Sequence, residues 1–189
     1  MTLTAGFDDP VLDCQACFRA VLDAMARPGT IHAVTGPAQP PGPLDRATAA
    51  VVLTLIDAET PLFLDPGAAA AVEWITFHTG AVPAPVGSAP FVVALSPMPL
   101  GDLDPGTDEG PELSATLILQ VPALGAGRAY QIDGPGLEAP AVVCIEGLPD
   151  GFLGEWAANH AAFPRGIDLI LCAGDRLTAL PRTLRIGAG

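Results

Sequence analysis

Lysine is absent from all 189 residues, and the eight basic side chains are arginine. Without an ε-amine the chain can make neither the internal aldimine that anchors pyridoxal phosphate nor the lysine-bearing phosphate loop of P-loop nucleotidases. Positive charge is scarce altogether. Twenty-one acidic residues against 8 basic ones leave a net charge of -13, and no run of arginines could build a phosphate-neutralising surface for nucleic acid or an anionic membrane. Charged residues make up only 15% of the chain while half of it is apolar, which predicts a large core and a surface partly covered by partner subunits.

Other absences narrow the reading further. Met1 to Pro10 lacks the basic and apolar segments of a secretory signal, which predicts a cytoplasmic location. The uncharged stretch from Trp74 to Gly101 is long enough to span a bilayer, but Pro83, Pro85, Pro90, Pro97 and Pro99 forbid one continuous helix. Cys14, Cys17, Cys144 and Cys172 are too few and too unevenly placed for a disulfide framework and are expected to be reduced, buried thiols. The Cys14-Gln15-Ala16-Cys17 spacing has no second pair to complete a zinc site. It also falls inside a predicted helix rather than at the helix start where a redox thiolate sits, so core packing is expected. His32, His78 and His160 form no ligand cluster. Gly125-Ala126-Gly127 places Tyr130 where a dinucleotide turn needs its third glycine, and no GxSxG elbow occurs.

What is present reads as one mixed α/β domain over residues 1–189. Asp9 followed by Pro10 predicts a capped helix carrying Val11, Cys14, Phe18, Val21, Leu22 and Met25 at helical spacing, stopped by Pro28-Gly29. Asp45 to Asp57 reads as a buried helix, Thr60 to Leu64 as a strand, and Asp65-Pro66 through Gly80 as a third helix. Short valine-, isoleucine- and leucine-rich runs at Pro90–Leu95, Ala115–Val121, Ala129–Asp133 and Val142–Ile145 predict strands. Ser96 to Glu112, rich in proline, glycine and acid, reads as an exposed, mobile loop. A helix from Pro149 or Asp150 to His160 precedes two strands, Ile167–Cys172 and Arg176–Arg182, joined by the hairpin signal Gly174-Asp175.

The residues that could carry chemistry are few. His78 and Asp168 are the candidate acid or base groups. Arg19, Arg128, Arg165, Arg176 and Arg182 are candidate anion-binding groups, since a guanidinium fork matches phosphate and carboxylate oxygens. The competing reading pairs each arginine with an acid or an interface. Arg176 and Arg182 differ by an even number, so one regular strand would place both on one face.

Several stretches together resemble one family. Phe18-Arg19 with Leu22, Ala24-Met25 and Pro28-Gly29, then Leu53-Thr54-Leu55 with Asp57 and Thr60-Pro61, and Phe77-His78-Thr79 resemble the first half of PhnH, a subunit of the bacterial carbon-phosphorus lyase system. Ala115–Val121, Gly127-Arg128, Gly134-Pro135-Gly136, Phe163-Pro164, Gly166–Leu171, Gly174–Leu177 and Pro181-Arg182-Thr183 follow the second half in order and spacing. Leu184 departs from the family's second threonine, and the connections at Pro37–Pro43 and Ser96–Glu112 vary. The resemblance implies a mixed-sheet three-layer sandwich like the large domain of pyridoxal phosphate-dependent transferases, without that cofactor. It also implies a homodimer that joins PhnG, PhnI and PhnJ in a complex converting ATP and an alkylphosphonate to a ribose 1-phosphonate 5-triphosphate. Within that picture three roles stay open: a structural or substrate-positioning subunit, a self-sufficient phosphate- or nucleotide-handling enzyme, and a purely structural dimer.

Overall fold

The computed structural model describes residues 3–189. Helix α1 (Pro10–Ala26) begins where the cap signal places it: the Asp9 carboxylate accepts from the backbone N–H groups of Val11 and Leu12 at 3.2 and 3.0 Å. Its buried face differs from the expected one. Cys17, Val21 and Ala24 face the core, whereas Val11, Phe18 and Leu22 face solvent, because this small-residue stripe is the one that packs on the next helix and the sheet. Strand β1 (His32–Ala33) follows, then α2 (Arg46–Leu55), in which Ala47 through Val52 are all buried.

After β2 (Leu62–Leu64) the predicted single helix resolves into two parts. A 3-10 segment, Pro66–Ala71, turns Ala68 and Ala71, three residues apart, into the core. Helix α3 (Val72–Thr79) follows and ends at Gly80, whose φ of 73° is the left-handed closure that glycine permits. A parallel bridge from Pro83 to Leu62 then carries the chain round the β2 edge.

Strands β3 (Phe91–Ala94) and β4 (Thr116–Gln120) lead to β5 (Ala123–Asp133), β6 (Ala141–Glu146), α4 (Phe152–Ala161), β7 (Asp168–Ala173), β8 (Arg176–Leu180) and β9 (Arg185–Ala188). One mixed sheet has the order β1-β8-β7-β4-β3-β2, with β2, β3, β4 and β7 parallel and the β7–β8 hairpin turning at Gly174-Asp175. A second, antiparallel sheet has the order β6-β5-β9. Strand β5 starts earlier than its composition suggests because Gly125 to Gly127 form a bulge: Leu124 and Arg128 both pair with Ile145. A Cβ on Gly127 would lie 2.6 Å from the Glu146 Cα, so only glycine passes there.

The apolar runs of the central strands are buried on both faces, which explains their lack of alternation. Val93, Ile118, Ile170 and Cys172 meet α1, α2 and α3. Val92, Leu117, Leu119, Leu169 and Leu171 meet the small sheet, α4 and the β3–β4 connection. That connection is largely exposed, as expected of Ser96 to Glu112, but it is anchored rather than loose. Leu100 and Leu103 are buried, Gly166 N–H donates to the Pro105 carbonyl at 2.9 Å, and Leu100 N–H donates to Glu155 Oε2 at 2.9 Å. It crosses the sheet without an α-helix, with only single 3-10 turns at Leu100–Asp102 and Pro111–Leu113, so its backbone must be satisfied by other means. The four thiols also divide. Cys17 and Cys172 are buried, but Cys14 and Cys144 are half-buried, against the expectation of burial for all. Among the described residues no helix is long and apolar enough to cross a membrane.

Candidate functional site

Ligands of open parallel sheets bind outside the carboxyl ends of the strands, often on a helix N-terminus. Here that edge is closed by the chain's own groups. Gln120, the last residue of β4, accepts through Oε1 from the Asp45 N–H at 2.7 Å and the Thr48 hydroxyl at 2.9 Å, and donates through Nε2 to the Pro43 carbonyl. Asp45 Oδ2 accepts from Gly174 N–H, and Ala47 N–H donates to the Gly174 carbonyl, so the start of α2 is tied to the β7–β8 turn. At the neighbouring strand ends Asp65, almost fully buried, accepts from the N–H groups of Gly67 and Leu95 and from the Ser96 hydroxyl. The hollow beside it, about 540 Å³ and lined by Phe63, Pro66, Leu95 and Met98, is open and mainly apolar.

The opposite edge holds the strongest charge pair. Arg182 forms a fork on Asp168, with Nη2 at 2.5 Å from Oδ2 and Nε at 3.2 Å from both oxygens, while its Nη1 donates to the Pro111 carbonyl at 2.7 Å. The backbone N–H of Arg182 adds a bond to Asp168 Oδ1. Arg165 Nε lies 3.1 Å from Asp108 Oδ1, close enough for an ion pair but without hydrogen-bond alignment. Both arginines thus hold the β3–β4 connection. Between that connection and α4 is a cavity of about 350 Å³ lined by Leu100, Leu103, Pro105, Glu155, Asn159 and Ile167. Asn159 is spent on the backbone of Ile167, donating at 2.9 Å and accepting at 2.7 Å.

The remaining candidates are dispersed. His78, in the last turn of α3, donates from Nε2 to the Thr4 carbonyl at 3.0 Å beside Trp74, whose Nε1 donates to the same oxygen. It pins the segment before α1. Arg128 lies over the Tyr130 ring, 5.6 Å from its centroid, and 3.8 Å from the exposed Asp150. Burial pushes the Tyr130 phenol up, with the Arg128 guanidinium opposing, and the buried hydroxyl has no partner. Arg176 is exposed at the start of β8. Strand β8 ends at Leu180, so Arg182 lies beyond it and the shared-face expectation for these two fails. Arg19 is exposed on α1 and makes no ion pair among the described residues.

The five arginines therefore do not converge, and His78 and Asp168 are engaged in separate structural contacts. Burial pushes the Cys17 thiol up to about 11 and raises Cys172 further, which leaves both unreactive. No cluster of three metal-ligating side chains occurs among the described residues. Sequence reasoning missed Gln120, Asp45 and Asp65 as the polar residues that close the strand ends. A signal existed for Gln120, the one polar side chain at the end of an otherwise apolar run.

The profile of the family described as "Bacterial phosphonate metabolism protein (PhnH)" matches residues 5–187. A protein of Rhizobium meliloti (strain 1021), named as the PhnH subunit of alpha-D-ribose 1-methylphosphonate 5-triphosphate synthase, is 41% identical over 97% of this chain and 94% of its own length. HtxG of Stutzerimonas stutzeri, whose assignment as a C-P lyase subunit is provisional, is 32% identical over 91% of this chain and 85% of its own. A match that runs through both sheets and all four helices, over nearly the whole length, places this chain in the PhnH family.

Proposed function

We propose that this chain is the PhnH-type subunit of a ribose 1-alkylphosphonate 5-triphosphate synthase in phosphonate catabolism, and that it works through assembly rather than as the nucleosidase. Whole-length similarity to the named synthase subunit supports the pathway. The observation that carries the molecular role is the employment of the candidate groups: Asp168, Arg165, Arg182 and His78 all hold irregular backbone in place. A self-sufficient enzyme would need a base and an anion clamp facing a common space. In this reading the chain forms a homodimer, joins PhnG, PhnI and PhnJ in the cytoplasm, and uses a transferase-like fold without pyridoxal phosphate.

Reconstitution tests this division of labour. Purified chain incubated with ATP and methylphosphonate should release no adenine, and the four-subunit mixture should release it. Adenine release by the chain alone would refute the reading. Light scattering that gives a monomer at every concentration would refute the homodimer.

A further inference from the structure

Helix α1 carries two apolar stripes, and its own domain uses one. Cys17, Val21 and Ala24 pack inward. Val11, Phe18 and Leu22, exposed by 75%, 44% and 52%, run along an adjacent face with the half-buried Cys14 and Met25 at its inner border. Positions 11, 18 and 25 recur every seven residues, with 14 and 22 between them, which is the spacing of a seam that receives another helix. Leu12, 62% exposed, lies seven residues before Arg19 and so beside it, outside the stripe.

One charge borders this seam. Arg19 stands four residues after Gln15 and three before Leu22, so it lies on the solvent side of the stripe. The nearest acid on the helix, Asp23, is held by Arg27 at 3.1 Å. An unpaired cation in a chain of net charge -13 points to an acidic counterpart outside it. A second copy centred on the seam does not supply one. Antiparallel self-pairing about Phe18 would set the two Arg19 side chains on the same flank, roughly 3 Å apart along the axis at the α-helical rise per residue, with no carboxylate between them.

We infer that the Val11–Phe18–Leu22 face of α1 docks an amphipathic helix of a different chain, whose apolar stripe covers the seam and whose carboxylate meets Arg19. This rests on the subunit role proposed above, and makes α1 the heterologous contact while leaving the homodimer to other surfaces. The test co-expresses the chain with affinity-tagged PhnG, PhnI and PhnJ and measures how much chain each preparation retains. Arg19→Glu and Phe18→Asp should lower retention at least tenfold, while Val142→Asp, at an exposed apolar site on β6, retains the wild-type amount. Wild-type retention in both α1 variants would overturn the inference, as would light scattering showing that Phe18→Asp dissolves a dimer of the isolated chain. If Phe18→Asp does not fold, Arg19→Glu, which alters only an exposed side chain, decides. Failure of the wild-type chain to assemble would instead refute the subunit role itself, and this inference with it.

Discussion

The two faces of the six-stranded sheet are covered in different ways. On one, regular helices press alanine, valine and cysteine against Val93, Ile118 and Ile170, and their backbone groups are satisfied within the helices. On the other, the cover includes a crossover with no helix longer than one 3-10 turn, and side chains do the satisfying: Glu155 for Leu100, Asn159 for Ile167, Arg182 for Pro111, and the Trp156 indole for Leu184. The difference teaches where polar side chains are needed in this fold. They follow irregular backbone, because a buried N–H or carbonyl outside a ladder must find a partner. The same rule accounts for His78 and Trp74, which serve the segment before α1 on the helical side.

If this contrast is right, damage to the helical face should be global and damage to the other face should begin locally. Ile75→Ala removes a fully buried side chain of α3 and is expected to cost about 4 kcal/mol, read as a shift of the whole urea-unfolding transition with no new protease site. Arg182→Ala leaves Asp168 with the backbone N–H of residue 182 alone and should cost about 3 kcal/mol, the low end for a broken buried pair. Limited proteolysis should then cut between residues 104 and 113 before the domain unfolds. Cleavage elsewhere, or none, would break the comparison.

Alkaline titration sharpens it on the helical side. Burial holds the Cys17 thiol protonated up to about 11 in the folded protein, against an ordinary 9.0. Above pH 9 the unfolded chain releases this proton first, so stability is complete below pH 9 and declines as pH rises toward 11. The loss from this group is expected to be about 2 to 3 kcal/mol, and Cys17→Ala should remove that part of the slope while leaving the part due to Cys172. In the folded state a thiol reagent should label Cys14 and Cys144 well before Cys17 and Cys172. The smallest effect is expected at Asp108→Asn: the Arg165 pair it breaks is largely exposed, and its removal should shift stability by at most about 0.5 kcal/mol.

Elements announced by local chemistry were legible in the sequence. Asp9-Pro10, Pro28-Gly29 and Gly174-Asp175 bound α1 and the β7–β8 hairpin through backbone constraints that need no partner. Strands β1 and β9 were not legible, because two residues of β1 and the Arg185-Ile186-Gly187-Ala188 run of β9 become strands only through the neighbours that pair with them. The buried stripe of α1 was misread because its largest apolar residues point outward. For the candidate site, residue types could be picked out but not their employment. Asp108, Pro111 and Asp168 reach Arg165 and Arg182 only through the fold, and sequence spacing carries no trace of that meeting.

Gln120 has a consequence for how the protein exists between binding events. By giving its amide oxygen to the Asp45 N–H and the Thr48 hydroxyl, it ties the start of α2 to the end of β4 from within the chain, so this tie carries no dissociation constant. Dilution, dialysis or starvation for a small molecule therefore leaves this end of the scaffold intact.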